Sequence, residues 1–259
     1  MTPAALQARA LQVARLADRL GSVFAQELAR VLRQTERRLG AYVVTVADGG
    51  RGDLVRGAQL AHVRREIRRA LDQSGYDALV DVATADPLDQ IAETVFAGRL
   101  ARRSADLIGP IQVRLRGLQA LQLADLLEEG DVLARALWKA TVRGVFNSQP
   151  PARILDDLGA ILDKSDAQIR TLYDTSVSIY GRQVEAVLAT DDPGARFLYA
   201  GPDDALARPF CKARVGQVYT RAEIDRMDNH QLDNVFLTGG GYNCRHVWME
   251  LAASSAAAA

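Results

Sequence analysis

Apolar residues recur at helical spacing through the first three quarters of this chain. Thr2 and Pro3 form a helix-start signal, because a hydroxyl can cap the first turn and proline fits within it. The apolar positions that follow are separated by three or four residues: Leu16, Leu20, Phe24, Leu28 and Val31. This spacing predicts a helix with one buried face.

Glycine, proline and capping motifs set the expected limits of the helices. Gly49, Gly50 and Gly52 predict a flexible break after the first helix, because glycine carries no helical preference. A capping box at 165–168 introduces a long helix that ends near 191. The other helices are expected at 54–73, from Asp86-Pro87 to Ile108, at 118–127 and 132–146 on either side of Gly130, and, as a short helix, from Pro150-Pro151.

The composition changes near residue 192. The segments RFLYAGPDD and GQVYT have the aromatic and β-branched content of short strands, and a final strand is expected at 244–251. A second capping box, at 220–223, opens a short helix before that last strand. We therefore predict a mainly α protein, with a helical N-terminal body over 1–191, a small C-terminal α+β unit with a short antiparallel sheet over 192–251, and a frayed tail over 252–259.

Charge and composition exclude several classes of protein. The formal net charge is zero, so no bulk electrostatic attraction to nucleic acid is expected. The sequence contains no run of about 18 apolar residues, so no transmembrane helix is expected. The N-terminus lacks the apolar core and cleavage site of a secretory signal. Two cysteines do not make a disulfide framework, so the expected compartment is cytosolic and reducing.

Both cysteines and two of the three histidines lie between residues 211 and 246. Cys244 and His246 are two residues apart, which in a strand places both side chains on one face, and Cys211 approaches them if the flanking strands pair. Three interpretations compete: zinc held by Cys211, Cys244 and His246 with His230 as a further candidate, a disulfide formed in an oxidising setting, or two buried thiols beside a hydrogen-bonded His246. We favour the buried thiols by default, so no cofactor is expected, with zinc as the alternative.

Two segments, DDALARPFCKARVGQVY and GGGYNCRHVWMEL, resemble the C-terminal part of the Mu-F-like minor head proteins of tailed bacteriophages, also called head morphogenesis proteins. The helix IRTLYDTSVSIYGRQ also looks like the long helix that precedes this part in the family, so the resemblance covers about 165–251. The residues that match the family pattern are Asp203 or Asp204, Arg208, Cys211, Gly216 and Val218 in the first segment, and Asn243, Cys244 and Arg245 in the second.

The closing segment departs from the family pattern, which has the form H-x-N-C-R-C. The family histidine falls on Gly241 here and the last cysteine falls on His246, so the full set of family donors cannot be carried over. From the residues themselves, Asn243 and Arg245 are expected to tie a loop to the sheet by side-chain hydrogen bonds. Gly239–Gly241 permit a close approach or a positive φ.

The resemblance implies a structural role in phage head assembly. A protein of this kind is a low-copy minor head component that binds the portal protein and the major capsid protein, and it is found in the virion head and, during assembly, in the host cytoplasm. We expect no enzymatic activity, no membrane association, and at most weak contact with packaged DNA because the net charge is zero.

Other functions have weaker support in the sequence. A metal-dependent nuclease or toxin-like hydrolase would use His230, Cys244 and His246, and a helical adaptor unrelated to phages is a third hypothesis. Arg64, Arg65, Arg68 and Arg69 lie on adjoining faces of one predicted helix. They could contact DNA, but a solvated face partly neutralised by Glu66 and Asp72 is the interpretation we favour.

Overall fold

The computed structural model describes residues 1–54, 57–96, 105–189 and 194–251. In this part of the chain the long helices are α1 (Pro3–Leu54), α2 (Gly57–Gln73), α3 (Tyr76–Phe96), α4 (Ala105–Phe146) and α5 (Pro151–Leu188). The C-terminal elements follow in the order β1 (Arg196–Ala200), α6 (Pro209–Lys212), β2 (Val218–Thr220), α7 (Arg221–Ile224), α8 (Val235–Thr238) and β3 (Val247–Glu250). The predicted fold class, mainly α with a small antiparallel sheet near the C-terminus, is confirmed.

Two predicted breaks at glycine are wrong. The backbone of α1 stays helical through Gly49, Gly50 and Gly52 to Leu54, because a glycine inside a helix costs only about 1 kcal/mol and does not end it. Gly130 lies inside α4. A Cβ at this position would meet the ring of the buried Tyr76 at 2.5 Å, so this glycine allows a close packing contact.

The predicted helix starts at proline and serine are also partly wrong. Pro87 lies inside α3, which begins earlier, at Tyr76, after Gly75 in a left-handed conformation. Pro110, predicted to follow the end of a helix at Ile108, lies inside α4. The capping pattern at Ser165 starts nothing, because α5 runs unbroken from Pro151 and its buried stripe continues on both sides of that serine. The stripe comprises Ile154, Leu158, Leu162, Ile169 and Tyr173.

The chain forms two compact units. One contains the described residues of 1–21, 85–121 and those from 173 onward, and the other contains 22–84 and 122–172. Helices α1, α3, α4 and α5 each contribute a part to both units. The predicted boundary at 192 and the predicted tail at 252–259 lie outside the described residues, so the division into 1–191, 192–251 and 252–259 stays a prediction.

The sheet has the order β2-β1-β3, with both outer strands antiparallel to β1. Because β1 lies between them, β2 and β3 do not pair with each other. The strand before Cys211, β1, pairs with the strand after Cys244, β3, as the predicted approach of the two cysteines requires. One face of the sheet packs Tyr199 and Trp248 against Phe236 and both cysteines. The other face packs residues of β1 and β3 against α1. The buried residues of this second core are Leu6, Ala10, Leu198, Ala200, Val247, Met249 and Leu251.

Among the described residues, no helix combines the length and the apolar content that a bilayer span requires.

Candidate functional site

The two cysteines and one histidine meet beneath the sheet. Cys211 Sγ lies 3.8 Å from Cys244 Sγ, and Cys244 Sγ lies 3.8 Å from His246 Nδ1. The donor atoms of all three residues lie within 4.8 Å of one another, and all three residues are buried. We call Cys211, Cys244 and His246 the Cys-Cys-His cluster. Three such donors can hold a metal ion, and the two thiols can also be oxidised to a disulfide or remain reduced.

The local structure that creates the cluster differs from the predicted one. Cys211 lies on the short helix α6, which starts at Pro209. Cys244 and His246 precede β3, which begins only at Val247, so the predicted strand start at 244 is wrong. Their spacing of two residues still brings the sulfur and the ring nitrogen together, as expected for a chain segment that leads directly into a strand.

A tyrosine and two backbone amides complete the surroundings of the sulfurs. The hydroxyl of Tyr199, in the central strand, lies 3.4 Å from Cys211 Sγ and 3.6 Å from Cys244 Sγ. The Gly240 N–H donates to Cys244 Sγ at 3.1 Å, and the His246 N–H lies 3.5 Å from the same sulfur. Sequence reasoning did not single out Tyr199, because an aromatic residue in a strand is ordinarily a core residue.

The glycine run does what its sequence predicts. Gly239 and Gly241 have positive φ angles of 58° and 97°. A Cβ on Gly240 would collide with Cys211 Sγ. The loop can therefore lie directly against the cluster only because these positions carry no side chain.

The contact between the two thiols shifts their pKa values in opposite directions. The hydrogen bond between the sulfurs raises the pKa of Cys211, and burial raises it further. The same hydrogen bond lowers the pKa of Cys244, and the nearby His246 and Arg182 contribute in the same direction. Burial raises the pKa of the Tyr199 hydroxyl, which therefore remains protonated beside the sulfurs.

His230 does not belong to this cluster. Its side chain is 85% exposed, and its Nδ1 lies 3.0 Å from Asp228 Oδ2. Its backbone has a positive φ of 58° within a loop. Of the residues proposed as zinc ligands, the structure thus brings together Cys211, Cys244 and His246 and leaves His230 in solvent.

Arg182 of α5 holds the loop that carries the cluster. It is only 3% exposed, and it donates to the carbonyl oxygens of Leu237 at 2.5 Å, Cys244 at 2.8 Å and His246 at 3.0 Å. Sequence reasoning missed this residue. The periodicity gave no signal for it, because Arg182 is two residues from both Tyr180 and Val184 and therefore lies on the other side of the helix from their apolar stripe.

Asn243 and Arg245 tie the loop to helices and to another loop, where we expected the sheet. Asn243 Oδ1 accepts from Thr175 Oγ1 on α5 at 3.0 Å. Arg245 donates to both carboxylate oxygens of Asp204 at 2.6 and 2.8 Å, and its second contact is Asp18 on α1 at 3.4 Å. The residue that matters in the acidic pair is therefore Asp204.

Asp203, the other member of that pair, is exposed. Asp204 additionally accepts from the backbone N–H groups of Leu206 and Ala207, at 3.0 and 3.1 Å, so it orders the loop that follows it. Its pKa is lowered, first by the hydrogen bonds from Arg245. The carboxylate is thus held ionised by its partner.

The remaining motif residues also support the loops around the cluster. Arg208 donates to the carbonyl oxygen of Gly240 at 3.0 Å and contacts the side chain of Gln231. Gly216 has a φ of 79°, and its N–H donates to the Tyr199 carbonyl at 2.9 Å in the turn before β2. The backbone of Arg208 also hydrogen-bonds to the Cys211 thiol, whereas Gly216 acts only on the shape of the chain.

The arginine-rich face of α2 is partly neutralised. Arg68 lies 2.8 Å from Asp72, 3.0 Å from Asp77 and 2.6 Å from Asp131, and Arg69 lies 2.6 Å from Glu66. The predicted compensation by Glu66 and Asp72 is confirmed. A helix face whose arginines are engaged in this way offers less positive charge to DNA than the sequence alone suggests.

Comparison with family models, with curated proteins and with solved structures finds no match for this chain.

Proposed function

We propose that this protein is a structural minor head component of a tailed bacteriophage or prophage, acting by binding the portal and capsid during head assembly. The proposal rests on the resemblance of 165–251 to the Mu-F-like minor head proteins. What supports it in the fold is that residues of both motif segments, more than 30 positions apart in the chain, contact one another directly.

The contact that carries the proposal is the pairing of Arg245 with Asp204. A second link joins Arg208 to the Gly240 carbonyl, and a third is the approach of Cys211 to Cys244. Residues that match a family pattern and also interact with each other favour a shared local structure over a chance similarity of short segments.

The mode of action proposed is docking by helical faces. Helix α4 exposes a ridge of Val113, Gly117 and Leu121, in which Val113 is 71% and Leu121 is 63% exposed. Ridges of side chains four residues apart pack between the ridges of a partner helix. We expect this ridge to contact a helix of a portal subunit in the virion head, or in the host cytoplasm during assembly. The major capsid protein is the second expected partner, and contact with packaged DNA would be weak.

Co-purification with the portal protein of the same phage or prophage tests this function. The wild-type chain is expected to elute with the portal ring, and the double variant Val113→Asp/Leu121→Asp is expected to lose at least tenfold in affinity. Val82→Asp is the matched control, because Val82 is 68% exposed but lies in the other compact unit. Failure of the wild-type chain to bind any portal or capsid subunit would contradict the proposal.

No observation on the described residues favours the alternative, a metal-dependent nuclease or toxin-like hydrolase. That function needs His230 beside Cys244 and His246, whereas His230 pairs with Asp228 in solvent. The other two residues are buried, at 5% and 2% exposure, so a polymeric substrate would have to open the fold to reach them.

A further inference from the structure

We propose that Cys211, Cys244 and His246 hold a structural zinc ion, with the hydroxyl of Tyr199 at the fourth corner. This site does not depend on the proposed role in head assembly, because it follows from the donor atoms and their spacing alone. Its function would be to hold α6, the loop at Gly239–Gly241 and the segment that leads into β3 against the central strand, β1.

The distances from Cys244 Sγ to the other two protein donors match the edges of a zinc tetrahedron, and all three donor atoms lie within 4.8 Å of one another. A zinc ion about 2.3 Å from each of two thiolate sulfurs holds them about 3.8 Å apart at the tetrahedral angle, and the two sulfurs are 3.8 Å apart. A sulfur and a ring nitrogen on the same ion lie about 3.6 Å apart, and Cys244 Sγ and His246 Nδ1 are 3.8 Å apart. The structure therefore already holds the donors close to the positions that coordination requires.

The Tyr199 oxygen fits the remaining corner, where it would bind as the phenolate, its proton being released to solvent on zinc binding like those of the two thiols. A zinc-bound oxygen lies about 3.5 Å from a sulfur on the same ion, and the hydroxyl lies 3.4 and 3.6 Å from the two sulfurs. Tyr199 is fully buried in the central strand, and its ring stacks on His246 with 5.2 Å between the ring centroids. Both rings are thus fixed before any ion arrives.

The backbone around the sulfurs is built for a thiolate. Gly240 and His246 both direct N–H groups at Cys244 Sγ, and such donors stabilise the negative charge that a zinc-bound sulfur keeps. Gly240 has no side chain, and a Cβ there would occupy the space beside Cys211 Sγ.

The second nitrogen of His246 is compatible with coordination through Nδ1. His246 is 2% exposed, and its Nε2 has no protein partner. A histidine that binds a metal through Nδ1 carries a proton on Nε2, which usually donates to a carbonyl, a carboxylate or a water. A cavity of about 20 Å³, lined by His246, Arg182 and Glu185 among others, has room for one such water.

The donor set selects the class of ion. Two thiolates and an imidazole favour zinc over the magnesium and calcium ions, which prefer oxygen ligands. The site is closed by Tyr199 and buried on all sides described, which is typical of a structural zinc and leaves no open position for a substrate.

Metal analysis of the full-length chain tests the site. The chain, purified under reducing conditions and equilibrated with zinc, is expected to retain about one zinc per molecule after gel filtration. Cobalt substituted for zinc is expected to show the intense sulfur-to-cobalt absorption and the visible bands of a tetrahedral ion. His246→Gln and Cys211→Ser are each expected to lose most of the zinc, whereas His230→Gln, the matched control, retains it.

A measurement on the wild-type chain covers the case in which these variants fail to fold. Removal of zinc by a chelator should lower the thermal midpoint of the wild-type chain, and one equivalent of zinc should restore it. Tyr199→Phe should weaken zinc binding about tenfold while the sulfur-to-cobalt absorption persists. The proposal is overturned if the folded, reduced wild-type chain binds no zinc or cobalt, or if it is isolated under reducing conditions with Cys211 and Cys244 joined by a disulfide.

Discussion

At the scale of single residues, the loops around the Cys-Cys-His cluster depend on a few positions where size and charge are tightly constrained. Gly240 is one, because its Cα faces both sulfurs, and Asp204 is another, because its carboxylate joins Arg245 to the backbone of its own loop. Each constraint predicts a measurable effect of a minimal substitution.

Gly240→Ala is expected to lower the free energy of unfolding by about 2–3 kcal/mol, because the added methyl overpacks a buried site. Gly117→Ala is the matched control. Gly117 is exposed on α4, and a Cβ there would meet no atom within 4 Å. That variant should be about 0.5–1 kcal/mol more stable than wild type, because alanine favours the helix. Urea unfolding of both variants measures the difference, and equal effects would contradict the packing argument.

Asp204→Asn is expected to destabilise the protein at neutral pH and to have little effect in acid. The pKa of Asp204 is lowered in the folded state, so its contribution to stability is present above its unfolded pKa of about 3.9 and is lost as the pH falls through the lowered value. Thermal midpoints measured from pH 7 to pH 2 should converge for wild type and variant at the acid end. Asp203→Asn, at the exposed neighbour, should follow wild type throughout.

At the scale of elements, α5 anchors the closing loop, residues 237–246, through Arg182. Arg182→Met removes the donor to three carbonyl oxygens in a buried setting, so we expect a loss of about 3 kcal/mol in the free energy of unfolding. Arg170→Met on the same helix should change it by less than about 0.5 kcal/mol, because Arg170 makes an exposed pair with Asp166. Calorimetric unfolding of the two variants measures these changes, and a loss below about 1 kcal/mol for Arg182→Met would contradict this role.

Much of the element structure could be predicted from the sequence, and the errors share one cause. The apolar stripes and the strand composition correctly indicated the fold class, and the capping box at Thr220 does start α7. The wrong helix limits were predicted at Gly130, Pro87 and Ser165, each of which is a local signal. Burial of a continuous apolar stripe on α3, α4 or α5 is a tertiary effect that outweighs such a signal.

The site could be predicted only in part. The spacing of Cys244 and His246 correctly indicated that their side chains meet, and the approach of Cys211 was anticipated from pairing of the flanking strands, which occurs between β1 and β3. Tyr199 and Arg182 reach the site from a strand and a helix that are distant in sequence. No local pattern reports such contacts, so they become visible only once the elements are packed.

At the scale of the whole molecule, the C-terminal residues bury one face of the sheet among themselves but not the other. The sheet buries its other face against Leu6 and Ala10 of α1, and Gln7 of the same helix exchanges hydrogen bonds with the backbone of Gly201 at 2.7 and 3.2 Å. Arg245 also reaches Asp18 of α1. The segment 194–251 therefore depends on residues at the other end of the chain.

A fragment consisting of 194–251 is accordingly expected to be unfolded, with or without added zinc. It lacks both Arg182 and the helix that covers Leu198 and Met249, so one sheet face and the closing loop lose their partners. Amide chemical-shift dispersion in an NMR spectrum of the fragment is the measurement, with the full chain as reference. A well-dispersed spectrum of the fragment would show that these partners are dispensable.

The core shared by Leu6, Ala10 and Met249 cannot form until nearly the whole chain has been synthesised. About 240 residues separate its first member from its last, and a ribosome that adds roughly 5–20 residues per second needs roughly 10–50 s to make them. During that interval the apolar side of the nascent helix has no sheet to cover it. Chaperone capture of early translation intermediates should therefore be strongest for chains stalled before residue 247, and should fall sharply once the last strand has left the exit tunnel.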